Sequence, residues 1–256
     1  MPPYYHLRPG TWSDVPASAV LYMKSFDKEP LLDYMFPGRQ TNPQAFHTWI
    51  TRRFRLRYWT PGYFLTMVVA YDDDEEEEHD DEKDHLSRID DRQGKPQKKN
   101  RQGRPVGFTW WHRPAESLSF YQRWLSPSAL FRPFIASLLR LQDYLFPIPF
   151  IDPHKLAIYD RTFALIEPQV LNSPRRRSAW YVASLGVDPV VQGRGIGGML
   201  IRDGLAQADR AGAAAWLVGL RGLERYYSRF GFAEVARANV GELKDWKGGS
   251  VMFRND

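Results

Sequence analysis

Apolar residues recur along this chain in two rhythms, short β-like runs near both ends and helix-spaced positions between them. Tyr4–Leu7 reads as a first strand. Val15, Val20, Leu21, Met23 and Phe26 then recur at helical spacing, with Thr11 or Ser13 placed to cap the helix. Leu31–Pro37 reads as a bent apolar connector, and Asn42-Pro43 opens a second helix running to about Tyr58. Beyond the Pro61-Gly62 turn, Tyr63–Tyr71 is dense in β-branched and aromatic residues and reads as a buried strand. Val106–His112 is a second strand that pairs back against it.

The stretch Ser117–Leu171 is mostly helical, in three pieces: Ser117–Leu125, Ser128–Phe146 and Asp152–Leu171. Leu130, Phe131, Phe134, Ile135, Leu138, Leu139 and Leu141 form a helical face whose expected role is ordinary core; lining for a substrate is the alternative. Pro174–Arg177 reads as a solvated basic turn. Strands and helices then alternate. Ala179–Val187 is a strand, Gln192–Gly198 a glycine turn, and Met199–Ala211 a helix with Leu200, Ile201, Leu205 and Ala208 on one side. Ala215–Leu220 is a strand, Gly222–Arg229 a short helix stopped by Gly231, and Ala233–Val240 and Ser250–Phe253 are the last strands. This order predicts an α/β (α+β) fold in which helices flank a central mixed sheet.

Charge divides the chain. Residues 72–104 carry thirteen acidic and eight basic side chains, a net of −5, so the rest carries +10 of the whole-chain +5. This segment has almost no apolar residues to offset its ordering entropy and is expected to be a mobile, solvated loop. The basic body suits an anionic ligand, but no RNA-binding or zinc-knuckle pattern accompanies it, so no nucleic-acid partner is expected. There is no cysteine, which removes disulfides, thiolate metal sites and a cysteine nucleophile. The six histidines show no zinc spacing, and no metal is expected. No apolar run is long enough to span a bilayer, and the first residues lack signal-peptide regions, so no membrane partner is expected. A cytoplasmic location is the expectation, with Lys98-Lys99-Asn100-Arg101 a weak pointer to the nucleus.

The glycine turn carries the chemistry. A pyrophosphate needs close backbone approach and several N–H donors, which Gly193, Gly195, Gly197 and Gly198 permit. The helix that follows points its free amides and positive end at the anion, and Arg194 adds a cationic fork. A dinucleotide fold places such a turn after its first strand, with an acidic residue about 20 positions later. Here the turn comes late and Leu217 occupies that place, so that reading fails. There is also no Gly-x-Ser-x-Gly elbow and no Gly-Lys-Ser/Thr phosphate loop.

The run Leu185-Gly186-Val187-Asp188-Pro189-Val190-Val191-Gln192-Gly193-Arg194-Gly195-Ile196-Gly197, followed by Tyr227-Ser228-Arg229-Phe230-Gly231-Phe232, resembles the GNAT N-acetyltransferase superfamily. The sharp likeness covers about residues 179–232, and the elements of residues 1–112 are compatible with it. A helical insertion at about 115–175 resembles the elaborations of fungal members. The resemblance implies one GNAT domain over 1–256, with a mostly antiparallel twisted sheet and acetyl-CoA in a cleft between splayed strands. Leu185, Gly186 and Val187 would face the pantetheine arm, and Gln192, Gly193, Arg194, Gly195, Ile196, Gly197 and Gly198 would hold the pyrophosphate. An N–H near Val187 would polarise the thioester carbonyl. The acetyl group would pass to a primary amine, expected to be small and apolar from the aromatic content of Phe131–Phe150 and Tyr63–Trp111. A protein Lys or N-terminus, or CoA binding without catalysis, are the alternatives.

An alkylammonium has a pKa of about 10 and must lose a proton before it attacks, and the departing thiolate needs an acid. Tyr227 matches the family's frequent acid, whereas Tyr226 is expected to point elsewhere on the helix. Some members carry a Glu base six positions before the residue matching Val187; here that position is Tyr181. Asp33, His112, Glu116 and Glu224 are bases by residue type, and His112, beside Trp110 and Trp111, is the one placed among the site residues.

Overall fold

A computed structural model describes residues 4–71, 103–148 and 150–256. The charged loop expected at 72–104 falls almost wholly outside the described residues. The strands are β1 (Tyr4–Pro9), β2 (Tyr63–Tyr71), β3 (Arg104–His112), β4 (Trp180–Val187), β5 (Ala215–Gly219), β6 (Ala233–Arg237) and β7 (Ser250–Arg254). They form one seven-stranded sheet in the order β1-β2-β3-β4-β5-β7-β6. Every neighbouring pair is antiparallel except β4 and β5.

The helices are α1 (Val15–Ser25), α2 (Pro30–Met35), α3 (Pro43–Tyr58), α4 (Pro127–Leu145), α5 (Pro153–Leu156), α6 (Ile158–Val170), α7 (Pro174–Arg177), α8 (Ile196–Arg210) and α9 (Glu224–Ser228). Period-two alternation sorts the β3 side chains between two cores. Phe108 and Trp110 face α1 and α3, packing with Val15, Ala19 and Phe54. Trp111 faces α8, packing with Val182, Ile201 and Leu205. Only a glycine leaves room there, because a Cβ on Gly204 would lie 2.0 Å from the Trp111 ring.

Four expectations need correction. Leu31–Pro37 is not a connector: Pro30 at the first turn and Glu29, whose carboxylate accepts from Leu31 N at 3.3 Å, start the short α2. The basic turn at 174–177 is the helical turn α7, capped by Ser173 Oγ accepting from Arg176 N at 3.2 Å. Helix α8 begins at Ile196, three residues before Met199, because burial of Ile196 and Leu200 outweighs the poor helix propensity of Gly197 and Gly198. Finally, the apolar face of 130–141 is not core. Leu139 alone among those residues is buried, while Leu130, Phe131, Phe134, Leu138 and Leu141 are exposed.

Candidate active site

Strands β4 and β5 pair only at Trp180↔Ala215 and Tyr181↔Trp216. Beyond that point β4 continues to Val187 held by β3, and β5 continues to Gly219 held by β7. Among the described residues no strand pairing joins the two inner edges there, so they part and leave a gap. A cavity of about 490 Å³ occupies it. Its walls are Leu185, Gly186 and Val187 on one side and Leu220, Leu223, Tyr226, Tyr227 and Arg229 on the other. Gln192, Gly193 and the first turn of α8, Gly195 through Gly198, close one end, and Ser25 and Phe26 also line it.

The glycine turn is built as a donor surface. Gly193 and Gly195 have φ of +79° and +82°, the left-handed region that L side chains avoid. A Cβ at either would meet nothing within 4 Å, so the backbone conformation and not packing demands glycine. Among the described residues, none of the amides from Gly193 to Gly198 donates within the chain. The first to do so is Met199 N, to Gly195 O at 3.0 Å. These open donors and the N-terminal end of a fifteen-residue helix favour a bound anion.

The loop is anchored from below. Asp188 accepts from Val190 N at 3.2 Å and from Lys24 Nζ at 2.9 Å. Burial of Asp188 pushes its pKa up, but Lys24, the Val190 amide and the nearby Arg104 charge together outweigh this and hold it below the ordinary carboxylate value. The carbonyl of Val187 already accepts from Ser25 Oγ at 3.0 Å and Gln192 Nε2 at 3.1 Å. Gln192 therefore braces the strand end as well as lining the cavity. Arg194 does not line the cavity; its Nη1 donates to Tyr5 Oη at 3.2 Å on the surface.

Helix α9 supplies two phenols to the opposite wall. Its chain reverses through Gly231 at φ +85°, which lets Phe232 return against the Tyr227 ring. Tyr227 is buried, and desolvation, with the neighbouring Tyr226 and Tyr181, raises its pKa well above that of a free phenol. Tyr226 does not point elsewhere as expected. It lines the same cavity, its ring 5.1 Å from that of Tyr227, and a Cβ on Gly197 would lie 2.7 Å from its hydroxyl. That hydroxyl is buried without a hydrogen-bond partner. The sequence reading does not place Tyr226, Arg229, Ser25 or Phe26 in the site: Tyr226 adjoins and Arg229 lies within the Tyr-x-x-x-Gly-Phe run, while no local signal marks Ser25 or Phe26.

The α1/α3 face of β4 carries a second, aromatic cluster. The β3–β4 register slips between Trp110 and Trp111, so Trp110 faces Ser184 while Trp111 faces Val182. Tyr181 stacks on Trp216 at 4.3 Å, and His112 stacks on Tyr63 at 4.3 Å while facing Tyr181 in register. The Arg57 guanidinium lies over Phe54, Tyr63 and Trp110 and donates to Ser184 Oγ at 3.3 Å. Desolvation first, then the Arg57 charge, lowers the His112 pKa and keeps the ring neutral near pH 7. His112 does not line the cavity itself. Of the other bases by type, Asp33 is engaged by Arg39 at 2.8 Å, Glu116 is exposed, and neither these nor Glu224 line the cavity. No cluster of three metal-binding side chains occurs among the described residues.

Residues 158–232 match the acetyltransferase (GNAT) family, a span that contains β4, the glycine turn, β5 and α9. This segment of the chain, residues 158–232, is similar to the GNAT acetyltransferases. Among solved structures, the fold is similar to a protein of Corynebacterium glutamicum described as histone acetyltransferase HPA2 and related acetyltransferase. The two share 17% identity over 99% of this chain and 96% of that one, at a TM-score of 0.53. A GCN5-related N-acetyltransferase of Rhodopseudomonas palustris shows 14% identity over 97% and 94%, at a TM-score of 0.44. A GNAT family acetyltransferase of Brucella melitensis, solved in complex with acetyl-CoA, shows 18% identity over 90% and 83%, at a TM-score of 0.38. At this identity the Corynebacterium structure supports the GNAT fold and no more. The mixed sheet flanked by helices agrees with the architecture expected from the glycine turn and the Tyr-x-x-x-Gly-Phe element.

Proposed function

We propose that the protein is an acetyl-CoA-dependent N-acetyltransferase acting on the primary amine of a small, apolar molecule. The observation that carries this reading is the gap between β4 and β5, with unpaired amides at one end and a buried phenol on its wall. In it the pyrophosphate of acetyl-CoA sits on the Gly193–Gly198 amides, with Arg229 at the wall as a further cation. The pantetheine arm runs along Leu185–Val187 and brings the thioester toward Tyr181, where the strands separate. The acceptor enters from the other face of β4, among Tyr63, Tyr181 and Trp216.

The amine nitrogen attacks the thioester carbonyl carbon. A C–N bond forms, the C–S bond breaks, and the sulfur leaves as a thiolate. Tyr227, held as a neutral phenol by burial, donates its proton to that sulfur. The acceptor's surplus proton leaves through His112 or water. His112 suits this role because it is neutral near pH 7 and faces Tyr181. The Arg57 charge disfavours an ammonium nearby, which raises the fraction of free amine. Tyr181 stands where some relatives have a carboxylate base and acts here as a wall residue.

The test is a panel of aryl-alkyl and alkyl primary amines incubated with acetyl-CoA, with free thiol followed. Release of thiol that depends on the amine is expected, strongest for apolar acceptors. Absence of release across the panel, with CoA bound normally, would refute the transfer reaction while leaving the CoA site standing.

A further inference from the structure

Nineteen large apolar side chains are exposed among the described residues, and twelve of them fall between Phe120 and Phe146. Such a concentration is not the ordinary scatter of surface apolar atoms. At about 100° per residue, Leu130, Phe134, Leu138, Leu141 and Leu145 share one stripe of α4. Its members are largely open, with Phe134 68% and Leu130 61% exposed. The helix is fixed to the body by its other side. Leu139 is buried, and Asp143 accepts from Arg52 Nη1 at 2.9 Å and Arg53 Nη2 at 3.4 Å.

Charge bears on what could cover the stripe. Asp143 is the single acid between Leu118 and Ile148, and its charge is taken up by α3. Arg123 and Arg140 lie in the same stretch, are exposed, and have no acidic partner among the described residues, whereas Arg132 lies on the anchored side of α4 and donates to Thr60 Oγ1 at 3.4 Å. Arg140 borders the stripe on its polar side. Aromatic rings sit at both ends, with Trp124 57% and Tyr144 82% exposed. An apolar stripe with Arg140 beside it and Arg123 just before it, flanked by Trp and Tyr, is the pattern of a helix lying in a bilayer surface. Anionic headgroups would neutralise the arginines. A second copy packed stripe to stripe would bring arginine toward arginine, which disfavours self-association.

We propose that α4 and the preceding turn Tyr121–Leu125 dock this protein on an anionic lipid surface. No helix of the described residues is long and apolar enough to cross a membrane, and a helix lying in the interface needs no spanning segment. The sequence expectation of no membrane partner considered only spanning segments. This inference does not rest on the acetyl-transfer reading.

The experiment is flotation of the full-length protein with phosphatidylcholine vesicles, with and without 30 mol% phosphatidylserine, at about 0.1 M salt. Binding to the anionic vesicles is expected, weakened at least several-fold by 0.5 M salt and by omission of phosphatidylserine. The double substitution F134E/L138E lies on exposed positions and should abolish flotation without changing CoA affinity. R123Q/R140Q should lower partitioning about tenfold or more. The proposal is overturned if the wild-type protein stays with the bulk solution, or if F134E/L138E floats as the wild type does. It is equally overturned if sedimentation shows a dimer that F134E/L138E dissociates, since the stripe would then be a self-interface.

Discussion

The glycine turn can be tested by a pair of substitutions that separate backbone strain from ligand binding. Gly195 and Gly212 stand at opposite ends of α8, with φ of +82° and +64°, and a Cβ at either meets nothing within 4 Å. Alanine at each therefore adds no clash and incurs only the left-handed penalty of about 1–2 kcal/mol. For a chain of 256 residues this lowers Tm by roughly 2–8 °C, equally in both variants. The effect on CoA differs. Relaxation of residue 195 out of the left-handed region turns neighbouring amides away from the cavity. Each hydrogen bond lost to a charged phosphate is worth about 1.5–3 kcal/mol, so G195A should raise the CoA Kd by roughly tenfold to over a hundredfold. G212A should leave it unchanged. Thermal denaturation followed by isothermal titration with CoA reads both quantities. The reasoning is refuted if G195A binds CoA as the wild type does, or if G212A weakens binding to the same degree.

Further outcomes follow from other parts of the molecule. Y227F should lower turnover at least tenfold with little change in CoA Kd, and Y226F should not; a smaller loss for Y227F than for Y226F would reassign the acid. Gly204→Val should destabilise the fold by about 3 kcal/mol or more, seen in urea unfolding, because its side chain would occupy the Trp111 ring position. Burial raises the Asp14 pKa, but the paired hydrogen bonds from Arg8 at 2.7 Å and those of Thr11 hold it at about 2. A depressed carboxylate stabilises above its unfolded value of 3.8 and loses that contribution as pH falls toward 2. Stability should therefore drop by up to about 2 kcal/mol across that window, and D14N should flatten the drop. H112Q should shift the acidic limb of the kcat/KM profile; an unchanged limb assigns the proton to water.

Much of the sheet was legible because its strands are short, β-branched and bounded by turn residues. Tyr63–Tyr71 falls within the bounds read from sequence, and the start of α3 was announced by Asn42-Pro43. The glycine turn was legible for a different reason, since positive φ leaves its mark as glycine. The start of α8 was not, because two glycines argue locally against a helix that tertiary burial of Ile196 imposes. The orientation of Tyr226 was hidden because α9 has only five residues, too few for a face to be read from spacing. The stripe on α4 shows the limit of periodicity. Spacing fixes which residues share a face, but whether that face meets protein or another surface depends on what packs beside it. Here Asp143, on the polar side, and Leu139 do the anchoring.

The central claim is that the amides of Gly193–Gly198 receive a diphosphate, and amide hydrogen exchange of that segment with and without CoA measures it directly. The account predicts near-unprotected exchange in the free protein and marked slowing at saturating CoA, confined to this turn and the neighbouring end of β4. Exchange through Gly193–Gly198 that does not change when CoA is bound would contradict it.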